Sequence, residues 1–462
     1  MKSVGLRPYA CGLMALFLGG CASISPHDAF QPVADNVSTL SGQRVVWNQE
    51  TGDDQKAEAE VQHLLQTPLS ANAAVQIALL NNPDLQATFE EIGISQADLV
   101  QAGLLKNPTF AASWRFPDVG PGFTDAEYSI AQDFLSLALL PLKIKVAKAN
   151  LESTQDRVSH EVIRLVEEVK EAFYTYQADV QIGQRLGLVI QADQAGADLG
   201  KAQHDSGNIN DAGLLNQQEP VATARLALSD AEKQTITARE KLNQLMGLWG
   251  EDILWKAKPN LPALPDVDPS LNNLESFAIA QRRDLLAQRR EVDAIGQALA
   301  LKTNTRYLPA GINIGADTEK VSPDQRVTGP TLDLELPIFD QGQGEIAKLS
   351  SQYRQAQRQL QSLAIRIRSE VRAAREMLKV NRDQVMYFKN TVVPLNLKTV
   401  NQTLLQYNAM QMNTYDLFLA KQRELDTERE YVGAWRDYWI SRAQLEEAVG
   451  GALRPPQSQP KP

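Results

Sequence analysis

Cysteine is almost absent from this 462-residue chain, with Cys11 and Cys21 as its two examples, both near the start. That excludes a disulfide framework for the rest of the chain. Histidine is scarce as well. His27, His63, His160 and His204 are scattered without ligand spacing, so no metal site is assigned. Basic residues are outnumbered, 46 Lys and Arg against 56 Asp and Glu, for a net charge of -10. Nucleic acid, which wants a basic stripe, is thereby excluded as a partner. Aromatics make up 6% of residues, few for one large compact core. Beyond the first 21 residues no run approaches the ~18 consecutive apolar residues of a membrane-spanning helix. A chain like this that crosses a membrane must use strands closed into a barrel, because lipid cannot satisfy open sheet edges. H-E-x-x-H, G-x-S-x-G, Walker and Rossmann patterns are also missing. Gly342-Gln343-Gly344 lacks a third glycine and introduces a polar helix, so it is a turn and not a phosphate cradle. No enzyme activity and no cofactor are expected.

The start is a targeting segment. Lys2 and Arg7 precede a short apolar core, Tyr9 to Leu18, and then comes Leu18-Gly19-Gly20-Cys21. This resembles a bacterial lipoprotein box, which implies removal of residues 1–20 and acylation of Cys21. Ala22 and Ser23 follow where an Asp would imply inner-membrane retention, so the resemblance implies the outer membrane.

Residues 21–69 are expected as an anchored arm, extended over His27 to Gln66. Ser70 is placed as the N-cap of a helix over Ala71 to Asn81, and Asn82-Pro83-Asp84 breaks it and caps the next. Thr109–Phe116 and Ala126–Phe134 alternate apolar and polar residues as strands, with aromatics toward their ends. Pro141 is placed at the start of a long helix reaching about His204. Its stripe Val158, Val162, Leu165, Val169, Phe173 and Tyr176 recurs at coiled-coil gaps. About 60 residues of helix would span roughly 90 Å, more than a compact domain needs. A return helix runs from about Ala212 to Met246, and 247–270 is a proline-rich linker.

The order then repeats. Asp84-Leu85 recurs as Asp284-Leu285, Pro108 as Pro309, Ala147-Lys148 as Ala347-Lys348, and Glu168-Val169 as Glu370-Val371. A colinear series at nearly constant offset indicates an internal two-fold repeat, 70–246 and 271–450, followed by a polar tail, 451–462. The second copy places strands at Ala310–Thr318 and Thr331–Leu336, with a polar loop over Glu319 to Thr328. A second long helix runs from Glu345 to about Gln406, kinked by Pro394, and a return helix from Asn413 to about Val449. Four strands cannot close a barrel around a pore, but three chains supply twelve.

Cys21 in its box, Asn82-Pro83-Asp84-Leu85, Gly103-Leu104-Leu105-Lys106-Asn107-Pro108, the strand-turn-helix from Gly329 to Ala347, and Leu445 to Gly451 together resemble the TolC family. The resemblance implies an α+β fold. Four strands per chain would form a twelve-stranded outer-membrane β-barrel in a homotrimer, continued by a long periplasmic α-helical barrel. It implies an efflux exit duct working with a periplasmic adaptor and an inner-membrane pump. It also places the hairpin tips, Pro117–Thr124 and Glu319–Thr328, outside the cell. The helical turns near Gly207 and Ala409 would meet the adaptor. Aspartates near the second return helix narrow the closed pore in some members. Asp416 matches one such position, the next is Leu419 here, and the first-repeat equivalent is Gly213 with Asp211 close by.

If the polar strand faces line a pore, Asp317, Asp333, Glu335, Glu127 and Asp133 make it acidic and favour cations. The plainer reading is solvation of a polar face. Met410 and Met412 carry thioethers suited to soft metals, or serve as packing filler. The competing class is a lipid-anchored periplasmic adaptor or structural coiled coil. The duplicated strand pairs weigh against it.

Overall fold

The computed structural model describes residues 26–116, 118, 124–265, 271–309, 311–322 and 325–453. The leader with Cys21, most of the first hairpin tip and residues 454–462 lie outside the described residues. The described residues fall into two compact units. One comprises the residues up to 32 with 90–155 and 287–360; the other comprises 33–89, 156–286 and 361–453.

The expected extended arm is instead largely helical, with α1 (Pro26–Ser41) and α2 (Gly52–Leu65). Its polar composition hides Val33, Val37 and Leu40, an apolar stripe at i, i+4 and i+7 that is buried. Thr51 caps α2 in a reciprocal capping box with Asp54.

Helix, helix, strand, strand, long helix and return helix then occur twice. The first set is α3 (Ala71–Asn81), α4 (Pro83–Gly103), β1 (Thr109–Arg115), β2 (Asp125–Asp133), α5 (Phe134–Asp205) and α6 (Asp211–Met246). The second is α7 (Leu274–Gln281), α8 (Arg283–Thr305), β3 (Ile312–Ser322), β4 (Gln325–Leu334), α9 (Gln343–Tyr387), α10 (Val393–Asn408) and α11 (Thr414–Val449). Ser70 caps α3 as expected, accepting from the Ala73 amide.

The 72-residue α5 begins at Phe134, so Pro141 lies inside it and does not open it. Asp133 is the reason: its Oδ1 accepts from the amides of Leu135 and Ser136 at 3.0 and 3.2 Å, capping the helix directly off β2. Every residue of the predicted α5 stripe is buried, from Val158 at 0% exposure to Tyr176 at 8%. In α9 the buried positions Ile367, Val371, Leu378 and Val385 keep heptad-like gaps. The kink expected at Pro394 takes the form of a π turn, Phe388–Val392, placed just ahead of the residue that cannot donate a backbone hydrogen bond.

The segment after α6 is tied down more than its prolines suggest. Trp255 is buried and donates from Nε1 to Asn243 Oδ1 at 2.7 Å, and Arg239 lies over its ring at 4.4 Å. The indoles of Trp435 and Trp439 both donate to the Pro262 carbonyl.

The four strands form one antiparallel sheet in the order β1-β2-β3-β4. The polar loop expected over Glu319 to Thr328 is mostly strand. Glu319 pairs with Val327 and Lys320 with Arg326, with an irregularity between Lys320 and Ser322. Hydrophobic alternation alone misses this extension, because a two-sided polar strand end looks like a loop.

Candidate functional site

The register sorts the sheet into two faces. Phe110, Ala112 and Trp114 of β1 stand opposite Ile130, Tyr128 and Ala126 of β2; Ile130 stands opposite Ala316, and Ile314 opposite Leu332. Cross-strand partners share a face, so these residues form one apolar surface. It is uncovered: Phe110 is 69% exposed, Trp114 55%, Ile130 53% and Leu332 61%. Tyr128 stacks on Phe110 at 6.5 Å and meets Trp114 edge to face at 5.9 Å. An apolar sheet face left open to this extent is built for a hydrocarbon environment.

The other face carries Arg115, Asp125, Glu127, Asp133, Asp317, Glu319 and Asp333. Glu335 follows β4 in the same alternation, its amide reaching the Gly311 carbonyl at 3.4 Å. All five predicted pore-facing acids therefore share one face, but their surroundings differ. Asp133 is committed to the α5 cap and pairs with Lys106 at 3.0 Å. Asp317 stands between Ser129 and Gly329 in the middle of the sheet. Glu127 stands directly opposite Glu319, and Arg115 contacts both. Glu319, expected in the loop, lies in β3, and Asp125 and Arg115 join the acids of this face beyond the residues expected there. The signal for Arg115 was its odd-numbered place beside Thr109 and Ser113 on the polar side.

The turns ending α5 and α10 match bond for bond. The Asn208 amide donates to the Gln203 carbonyl at 2.8 Å, and the Gln411 amide to the Gln406 carbonyl at 2.9 Å. Gly207 and Met410 hold the left-handed position of each turn, at φ of 74° and 60°. Asn210 and Asn413 are the N-caps that follow, accepting from Gly213 and Asp416. Gly213 thus stands where Asp416 stands, and Asp211 is two residues out of register, on another side of its helix. The carboxylate of Asp416 completes a capping box on Asn413. The Asp211 carboxylate instead takes His204 Nε2 at 2.7 Å, which raises the imidazole above its ordinary pKa of 6.5. Within one chain Met410 is 95% exposed and Met412 is 40% exposed. Among the described residues no three His, Cys, Asp or Glu side chains are grouped to hold a metal ion.

A lipid-suited sheet joined to helices of this length is the architecture of a protein that crosses a membrane with strands. Residues 74–248 match the family model for "Outer membrane efflux protein". The cobalt-zinc-cadmium resistance protein CzcC of Cupriavidus metallidurans is 24% identical over 406 residues, covering 83% of this chain and 90% of the relative. The Campylobacter jejuni CmeC outer membrane channel superposes with a TM-score of 0.72 at 16% identity, over 84% of this chain and 87% of that one. The Vibrio cholerae outer membrane protein VceC gives 0.69 at 14% identity, over 87% of this chain and 98% of that one. Over residues 74–248 the chain is similar to the outer membrane efflux protein family, and its fold is that of the outer-membrane channels on which it superposes.

Proposed function

We propose that this channel is the exit duct for divalent transition-metal cations, filled from the periplasmic side by an adaptor and an inner-membrane pump. The observation that carries the reading is the acidic face of the sheet, Asp125, Glu127, Asp317, Glu319 and Asp333, set back to back with an uncovered apolar face. Lipid takes the apolar side, so the carboxylates face water, where they enrich cations and repel anions. Likeness to a cobalt-zinc-cadmium resistance protein supports cations of that class.

Closure requires a homotrimer. β1 and β4 each have one unpaired edge within the chain, and a bilayer tolerates no open edge. Twelve strands from three copies close into a barrel of ordinary size. Ile365, Val380 and Tyr387 of α9, each about 60% exposed, then have neighbouring helices to cover them. The matched turns at Gly207 and Met410 serve as the ends that meet the adaptor. Asp416, held in its capping box, and Asp211, held by His204, border the constriction there. Acylated Cys21 tethers each copy to outer-membrane lipid. The chain itself supplies no energy, and transport is passive through it.

Growth of a strain lacking the chain tests the cargo. Hypersensitivity to cobalt, zinc or cadmium, reversed by the intact gene and absent for dyes and antibiotics, is expected. Sensitivity spread over organic compounds with normal metal tolerance would overturn the metal assignment.

A further inference from the structure

We propose that Arg115 is a specificity-determining residue of the duct, a fixed positive charge that limits how strongly the hairpin-tip end of the pore favours cations. The inference rests on the channel reading above and adds a residue that sets its selectivity.

The placement follows from the register. Arg115 ends β1 opposite Asp125, the first residue of β2. Glu127 lies two residues further along the same face, and Glu319 stands opposite it on β3. The guanidinium reaches all three carboxylates: Asp125 at 3.3 Å, Glu127 at 3.1 Å and Glu319 at 3.9 Å. Two glutamates directly opposed across a strand pair repel each other, and the planar fork of an arginine suits bridging them. Both hairpin tips adjoin this cluster, so it marks one end of the polar face. Arg115 is the only basic residue on that face among the described strand residues.

Its exposure decides what the charge does. The Arg115 side chain is 64% exposed, so the cluster sits in water and its ion pairs contribute little to stability. The charge still acts on ions passing within a Debye length, about 10 Å at 0.1 M salt. Three carboxylates against one guanidinium leave -2 per chain within this cluster, and removing the guanidinium leaves -3. In a trimer that difference is repeated around the mouth. Among the described residues Asp317 and Asp333, further along the face, form no ion pair, so Arg115 tempers the mouth while the middle stays acidic.

Purified trimers in planar bilayers under a KCl gradient test this through the reversal potential. The intact channel is expected to be cation-selective, and Arg115→Gln to raise the potassium-to-chloride permeability ratio about twofold at 0.1 M salt. Arg115→Lys, which keeps the charge, should leave the ratio unchanged, and Glu127→Gln with Glu319→Gln should lower it. A purely structural role would reduce the yield of trimers without moving the ratio of those that conduct. An Arg115→Gln channel with the parental ratio overturns the proposal. Should that variant fail to assemble, the lysine and the double glutamine variants decide, and a double variant with the parental ratio overturns it. An intact protein that forms no conducting trimer would instead overturn the channel reading itself.

Discussion

Glu167 on α5 is held under unusual conditions for a carboxylate. Burial is the main cause that lifts its pKa from 4.5 to about 8, aided by a hydrogen bond to Glu171 and by the negative charges of Glu171 and Glu447. The folded chain therefore keeps a proton on Glu167 that the unfolded chain releases near pH 4.5. Stability from this group is fully present below that pH and is lost as pH rises through about 8. Glu167→Gln, which stays neutral, should leave the heat resistance of trimers unchanged at pH 4.5 and raise it at pH 8. Equal melting curves at pH 8 would contradict the assignment. Single residues were also where the sequence was least legible. Alternation puts Arg115 and Asp133 on the polar face, but their partners follow from cross-strand pairing and from a strand that feeds directly into a helix, which no periodicity encodes. Met410 occupies a left-handed position that Gly207 fills without strain, so glycine could not mark the second turn.

The joints between short helices show how one element design is built twice with different chemistry. Asn82 between α3 and α4 is buried, donates to the Leu245 carbonyl at 2.8 Å and accepts from the Leu85 amide at 2.9 Å. Its counterpart between α7 and α8 is Arg282, whose side chain is 4% exposed. Arg282 grips Asp284 through two bonds of 3.0 and 2.7 Å, Glu370 of α9 at 2.6 Å and the Ala448 carbonyl of α11 at 3.2 Å. Gly247 and Gly450 close the matching return helices at φ of 65° and 86°, where a side chain would strike Asn81 or Arg282. Burial disfavours charge on Asp284, but Arg282 outweighs it and holds the carboxyl below its usual range. Arg282→Ala leaves that carboxylate buried and unpaired, at a cost of about 3 kcal/mol, whereas Asn82→Ala removes a cap, at a cost of about 1 kcal/mol. Denaturant titration of the two variants should keep that order, and equal losses would contradict the ion-pair account. The elements themselves were largely legible, because a repeated Asp-Leu after each joint and sustained apolar stripes survive as sequence signals. The arm over 27–66 and the outer ends of β3 and β4 were not, since their apolar positions are too few to stand out from polar neighbours.

At the scale of the molecule, the four strands explain themselves only in company. Within one chain they leave a greasy face bare and two edges unpaired, and three copies in a bilayer remove both costs at once. In the proposed trimer the acidic face becomes the wall of the pore. The most direct test of this account is the metal content of cells preloaded with zinc or cobalt and transferred to metal-free medium, with and without the chain. The account predicts that cells lacking it retain the metal and that the intact gene restores release. Equal release from both would contradict the assignment of the chain as a metal exit duct.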